Sequence, residues 1–196
     1  PIPFSDPFVP AIQNLIRSKR YPQAASQLSA GFHSAPHHPN LYLLEIELYR
    51  RGGKNRDEIT NKITRMKENS PVPDTYISQA NYLRDIRSDQ KALLCLEEGH
   101  AKFPYSLSIL LLAAKHSMQI RNYAKSIQFL ITAIEQYPKN PLLYTLFGAN
   151  LVYSSKEQWN RAQEALNKAE VLYEKNGLKN PPFHLFQIAH FERLHS

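Results

Sequence analysis

Apolar residues recur along this chain at two nested intervals. The short interval is helical: Phe8, Ile12 and Leu15 stand at i, i+4 and i+7, on one face of an α-helix. The long interval is 34 residues, kept by Phe8, Tyr42, Tyr76, Leu110 and Tyr144. A smaller set, Ile12, Ile46, Ala80, Ala114 and Gly148, follows four residues on, and Leu15, Tyr49, Leu83, Ser117 and Leu151 three further. Five copies of one helical face at one interval predict a tandem array.

A second helix is predicted after each first one. Its small slot holds Ala24, Ile59, Ala92, Ser126 and Ala162; Leu28, Ile63, Leu96, Leu130 and Leu166 come next, then Gly31, Met66, Gly99, Ala133 and Ala169. Small residues on either side of a large one let two helices approach while the large side chain fills the gap. Ile59 and Met66 break this rule in the second pair. Pro36, Pro71, Pro104 and Pro138 stop successive pairs, because proline lacks the N–H and fixes φ. Asp6-Pro7, Asn140-Pro141 and Asn180-Pro181 each set an N-cap residue before a proline at the first helical position, and Asp74 and Ser106 are expected to cap the third and fourth pairs. Extra residues fall near Gly52-Gly53 and Ser154–Glu157, where loops absorb them cheaply.

This pattern resembles the tetratricopeptide repeat: aromatic, Leu, Gly/Ala and Tyr in one helix, then Ala, an aromatic or Leu, Ala and Pro in the next. Leu110, Ala113, Ala114, Asn122, Tyr123, Ser126, Leu130, Ala133 and Pro138 carry it best, and Pro36–Pro39 is similar to the family's usual Pro-Asn-Asn-Pro. Pentatricopeptide, half-a-TPR and Sel1-like repeats fit less well in period or composition. The resemblance implies an all-α, right-handed α-solenoid of about five helix pairs. The boundaries expected are an extended segment over 1–6, repeats over 7–38, 39–72, 73–105, 106–139 and 140–176, and a C-terminal capping helix over 177–196.

In that family the first helices line the inner, concave surface. Carried onto this chain, the inner positions are Val9, Gln13 and Arg17; Leu43, Leu44, Glu47, Arg50 and Arg51; Ile77, Ser78, Asn81, Arg84 and Asp85; Leu111, Leu112, Lys115, Met118 and Gln119; then Thr145, Leu146, Ala149, Val152 and Tyr153. The expected partner-binding set is Arg17, Arg50, Arg51, Asn81, Arg84, Leu111, Leu112, Lys115, Met118, Leu146 and Tyr153. Guanidinium groups suit carboxylates, and Leu, Met and Tyr suit apolar side chains, so the expected partner is a protein or peptide with acidic and apolar residues. The competing reading buries these leucines inside the array or against a dimer mate. The Lys/Asn/Arg clamp by which some family members hold a C-terminal carboxylate is missing: Val9, Gln13, Leu44, Asp74 and Ser78 stand at its positions.

Composition narrows this further. The chain has 196 residues and a formal charge of +7, which favours acidic partners, but its basic residues are scattered. A scaffold is therefore expected ahead of nucleic-acid binding, the second alternative. The first alternative is an accessory or regulatory domain of a larger enzyme, or an envelope or secretion assembly factor. Pro1 in place of Met fits a fragment or processed form. A single cysteine, Cys95, excludes a disulfide framework and reads as a core filler. His33, His37 and His38 read as a loop, since no Cys or acidic residue joins them. No nucleophile elbow, metalloprotease motif or phosphate loop occurs, so no enzyme, cofactor or metal is expected. No apolar run is long enough to span a membrane. A cytoplasmic setting is favoured over a bacterial periplasm, and a homodimer is left open.

Overall fold

The computed structural model describes residues 8–179 and, beyond them, Pro181, His184, 187–190 and Arg193. The described residues hold no strand. Among residues 8–179, ten α-helices follow one another in hairpins: α1 (Phe8–Arg17) and α2 (Tyr21–Ser34), α3 (Pro39–Arg51) and α4 (Arg56–Asn69), and α5 (Pro73–Asp85) and α6 (Asp89–Lys102). Then come α7 (Leu107–Gln119) and α8 (Tyr123–Gln136), and α9 (Pro141–Ser154) and α10 (Trp159–Lys175). The chain forms two compact units, residues 1–82 and 83–196, divided within α5.

The recurring slots become the core. Every residue of the three second-helix slots is buried, Ile59 and Met66 included. The middle rung of the first helices, Ile12, Ile46, Ala80, Ala114 and Gly148, is buried as well. Each large aliphatic residue removed from water in this way contributes about 1.5–3 kcal/mol. In the first unit Ile12 and Ile16 pack with Ala24, Leu28, Leu41, Leu44 and Leu48. In the second, Leu151 and Val152 pack with Ala162 and Leu166. Gly148 is there for space: a Cβ would meet Leu166 Cγ at 2.8 Å and the Ala162 carbonyl oxygen at 3.2 Å.

Helix ends obey local chemistry. α2, α4, α6 and α8 each stop two residues before Pro36, Pro71, Pro104 and Pro138. The residue between, Ala35, Ser70, Phe103 or Tyr137, is pushed out of the helical region by the proline ring, and its N–H donates to the carbonyl of Gly31, Met66, Gly99 or Ala133. The Asn140 and Ser106 side chains accept from Leu142 and Ile109 N–H, as their caps require. Asp74 does not cap. α5 begins one residue earlier, at Pro73, which leaves Asp74 in its first turn, and Thr75 Oγ1 ties the turn to the Ser70 carbonyl at 2.6 Å. Asp6 and Asn180 lie outside the described residues. Two caps escaped the sequence reading: Asn55 with Glu58 forms a reciprocal capping box on α4, and Asn122 accepts from Lys125 N–H on α8.

The hairpin turns share one device. Lys19, Gly53, Arg87 and Arg121 all have positive φ, between 57° and 72°. At each, the next N–H closes back on the preceding helix: Arg20 to Leu15, Lys54 to Tyr49, Ser88 to Leu83 and Asn122 to Ser117. This is the left-handed helix stop, filled once by glycine and three times by a long basic residue. The fifth hairpin abandons it for an extended Ser155 and a 3₁₀ turn, Lys156–Gln158.

Candidate protein-interaction surface

Within the first unit, the inner positions of α3 and α5 meet around a depression of about 460 Å³. Leu43, Glu47, Arg50 and Arg51 of α3 face Ser78 and Asn81 of α5, with Ile46 at the floor. Arg51 Nε pairs with Glu47 at 2.9 Å, both half exposed, so this ion pair is screened by water and adds little stability. Two guanidinium groups against one carboxylate leave the depression with a net positive lining. Arg17 is exposed in the last turn of α1, outside that lining.

A second hollow of the first unit, about 390 Å³, lies among α2, α3 and α4 and was not foreseen. Glu45, on its wall, is only 9% exposed and accepts from Lys62 at 2.7 Å. Burial alone would lower the Lys62 pKa, but the hydrogen bond and charge of Glu45 outweigh it and hold the ammonium above its usual range. Arg65 lies over the Phe32 and Tyr42 rings, at 5.3 and 5.7 Å from their centroids.

In the second unit the expected site residues separate into two environments. Leu111, Leu112 and Met118 on α7 are half-buried, and Lys115 among them is exposed. Arg84 is half-buried and donates to Gln119 Oε1 at 3.0 Å. On α9 the corresponding face is closed: Thr145, Leu146, Ala149 and Val152 are all buried. Leu146, expected to bind a partner, is 4% exposed and offers almost no surface. Tyr153 stays partly exposed, stacked on Tyr123 at 6.1 Å and beside His190 at 5.4 Å.

The described residues of the C-terminal stretch touch α9 and α10. His184 Nδ1 lies 2.9 Å from Thr145 Oγ1, and its ring stands 5.3 Å from Tyr173. Ile188 packs on the Leu151–Val152–Ala162–Leu166 core. Phe183, Phe186, Phe191 and Leu194 of this stretch lie outside the described residues.

Comparison with solved structures decides the fold. A crystal structure of MamA protein superposes with a TM-score of 0.64 over 89% of this chain and 96% of that one, at 14% identity. MamA residues 41 to the end from Desulfovibrio magneticus RS-1 superpose with a TM-score of 0.61 over 86% and 94%, at 18% identity. MamA is a tetratricopeptide-repeat protein. This chain has the tetratricopeptide-repeat fold. No protein-family model and no curated relative matches the sequence.

With the fold in hand, the remaining candidates find their places. His33 and His37 hydrogen-bond through Nδ1 to the Ser29 and Asn69 carbonyl oxygens, at 2.7 and 3.1 Å. Among the described residues, no three His, Cys, Asp or Glu side chains gather as a metal site. Cys95 is buried. No described helix is long and apolar enough to cross a membrane.

Proposed function

We propose that this tetratricopeptide-repeat chain is a non-catalytic protein-interaction scaffold that captures an acidic, partly apolar segment of a partner protein. The observation that carries the proposal is the open basic depression between α3 and α5, lined by the family's ligand-facing positions. Arg50 and Arg51 would fork onto carboxylates, and Arg51 would exchange its solvent-screened bond to Glu47 for a partner's acid. Ser78 and Asn81 would hydrogen-bond the segment's backbone, while Leu43 and Ile46 would take an apolar side chain out of water. The second unit has its own surface of this kind, in which Leu111, Leu112 and Met118 adjoin Lys115.

The test is a titration of the full chain with short labelled peptides that mix Glu and Leu, beside twins carrying Lys for Glu. Capture of the acidic set alone, falling about a hundredfold in the Arg50→Glu/Arg51→Glu variant, is expected if each lost charged hydrogen bond is worth about 1.5 kcal/mol. Equal capture of both sets, or full capture by the variant, would remove the proposal.

A further inference from the structure

The hollow among α2, α3 and α4 has an ionic wall that the repeat itself does not require. Matching the buried slots aligns α3 with α9 and α4 with α10. Phe147 then stands at the place of Glu45, Ala165 at that of Lys62 and Lys168 at that of Arg65. In the second unit these three line a corresponding hollow of about 290 Å³ among α8, α9 and α10, together with Ile131 and Ile134. An apolar side chain therefore serves the same slot where the repeat only has to pack. A buried ion pair seldom stabilises more than an apolar pair of similar volume, so packing alone does not account for Glu45 and Lys62.

Only half of the Glu45 carboxylate is used. Its Oε1 accepts from Lys62, whereas Oε2 has no hydrogen-bond partner among the described residues, so the fold leaves acceptor capacity over. Arg65 belongs to the same lining and is half exposed. Its Nη1 lies 3.8 Å from Glu45 Oε1, an ion pair too long to be a hydrogen bond, and its guanidinium carries five N–H donors. Leu28, Phe32, Leu48 and Tyr49 supply apolar surface to the rest of the lining. An acid and a base side by side above apolar walls suit neither simple ion: a bare anion meets Glu45, and a bare cation meets Arg65 and Lys62. The volume, about 390 Å³, falls within the range of about 300–1,000 Å³ usual for small-molecule sites.

We propose that this hollow binds a free α-amino acid with an apolar side chain. The α-ammonium donates to Glu45, the α-carboxylate accepts from Arg65, and the side chain leaves water among Leu28, Phe32, Leu48 and Tyr49. In such a zwitterion both charges sit on one carbon, which matches an acid and a base 3.8 Å apart on the wall. A residue within a peptide has neither charge at that carbon, so the site selects the free molecule. No residue of the α3–α5 depression lines this hollow, and the inference stands independently of segment capture there.

The experiment is a calorimetric titration of the full chain with phenylalanine and with leucine, and saturable binding of at least one is expected. For the tighter of the two, the matching acid without the ammonium and the matching amine without the carboxylate should each bind about tenfold more weakly or worse, the weight of one charged hydrogen bond. Glycine, which keeps both charges but has no side chain to bury, should not bind. Glu45→Gln and Arg65→Gln should each weaken the tighter ligand by a similar factor. Should circular dichroism show that either variant folds poorly, Ala25→Trp takes its place: it fills the hollow from α2, touches neither charge, and should abolish binding. No saturable binding of either amino acid, equal binding of the acid that lacks the ammonium, or full binding by Ala25→Trp would overturn the proposal. Acidic peptides directed at Arg50 and Arg51 should bind Ala25→Trp as they bind wild type, which separates failure here from failure of the α3–α5 reading.

Discussion

At three matched register positions α7 presents Leu111, Lys115 and Met118, and α9 presents Thr145, Ala149 and Val152. Both helices belong to the second unit and pack on α8, yet the first trio retains contact with water and the second is buried. The repeat register sets only which way a side chain points. Whether that side becomes core or binding surface depends on its size and on what chain lies beyond it. A long basic residue at the middle position keeps the face open, whereas an alanine permits another helix to settle on it.

That comparison can be broken most severely at Ala149. Ala149→Lys places an ammonium where none has space or a partner, and should cost about 2–4 kcal/mol of stability in denaturant unfolding. Lys115→Ala at the matched position of α7 should change stability by less than about 0.5 kcal/mol. Equal effects at the two sites would mean that the α9 face is not covered in solution. A smaller loss, about 1–3 kcal/mol in a thermal melt, is expected for Gly148→Ala, whose Cβ runs into Leu166 of α10.

Acidity sharpens the same contrast. Burial holds the His184 pKa below its ordinary value, and the charge of Glu170 on α10 opposes the shift only in part. Among the described residues, the Thr145 hydroxyl on α9 and the Tyr173 phenol on α10 also face the ring, and both are uncharged. The imidazole is therefore harder to protonate in the folded chain than in the unfolded one. The stability that the neutral ring contributes is fully present above the ordinary value of about 6.5 and weakens as pH falls from there toward the lowered folded value. Hydrogen exchange on α9 should accelerate over that interval while α3 amides do not respond, and His184→Gln should remove the dependence.

The smallest effect concerns the turns. Arg87→Gly and Arg121→Gly relieve left-handed strain at positions where Gly53 already sits, and each should stabilise by up to about 1 kcal/mol in chemical denaturation. The same change at Ser155, which is extended, should bring no such gain.

Much of this architecture was legible in advance. The 34-residue ladder, the prolines and the small slots predicted which faces are buried, because burial of one helical face repeats with the sequence that specifies it. The turns were less legible: Lys19, Arg87 and Arg121 stand at 34-residue spacing with Gly53, but a basic side chain carries no local signal for positive φ. Asp74 misled because proline can itself begin a helix, one residue ahead of a good capping side chain. Of the expected site, Arg50, Arg51 and Asn81 come together around one depression, while Leu146 is lost to burial. The sequence carried a sign of the difference, the small Thr145, Ala149 and Val152, but register alone does not say whether such a face is buried.

The most direct measurement is a chemical-shift map of the isotope-labelled chain as an acidic, Leu-containing peptide is added. The account predicts perturbation of the Arg50 and Arg51 guanidinium and Asn81 side-chain amide signals, with Thr145, Ala149 and Val152 unmoved. Shifts centred on α9, or spread without preference over exposed basic residues, would contradict it.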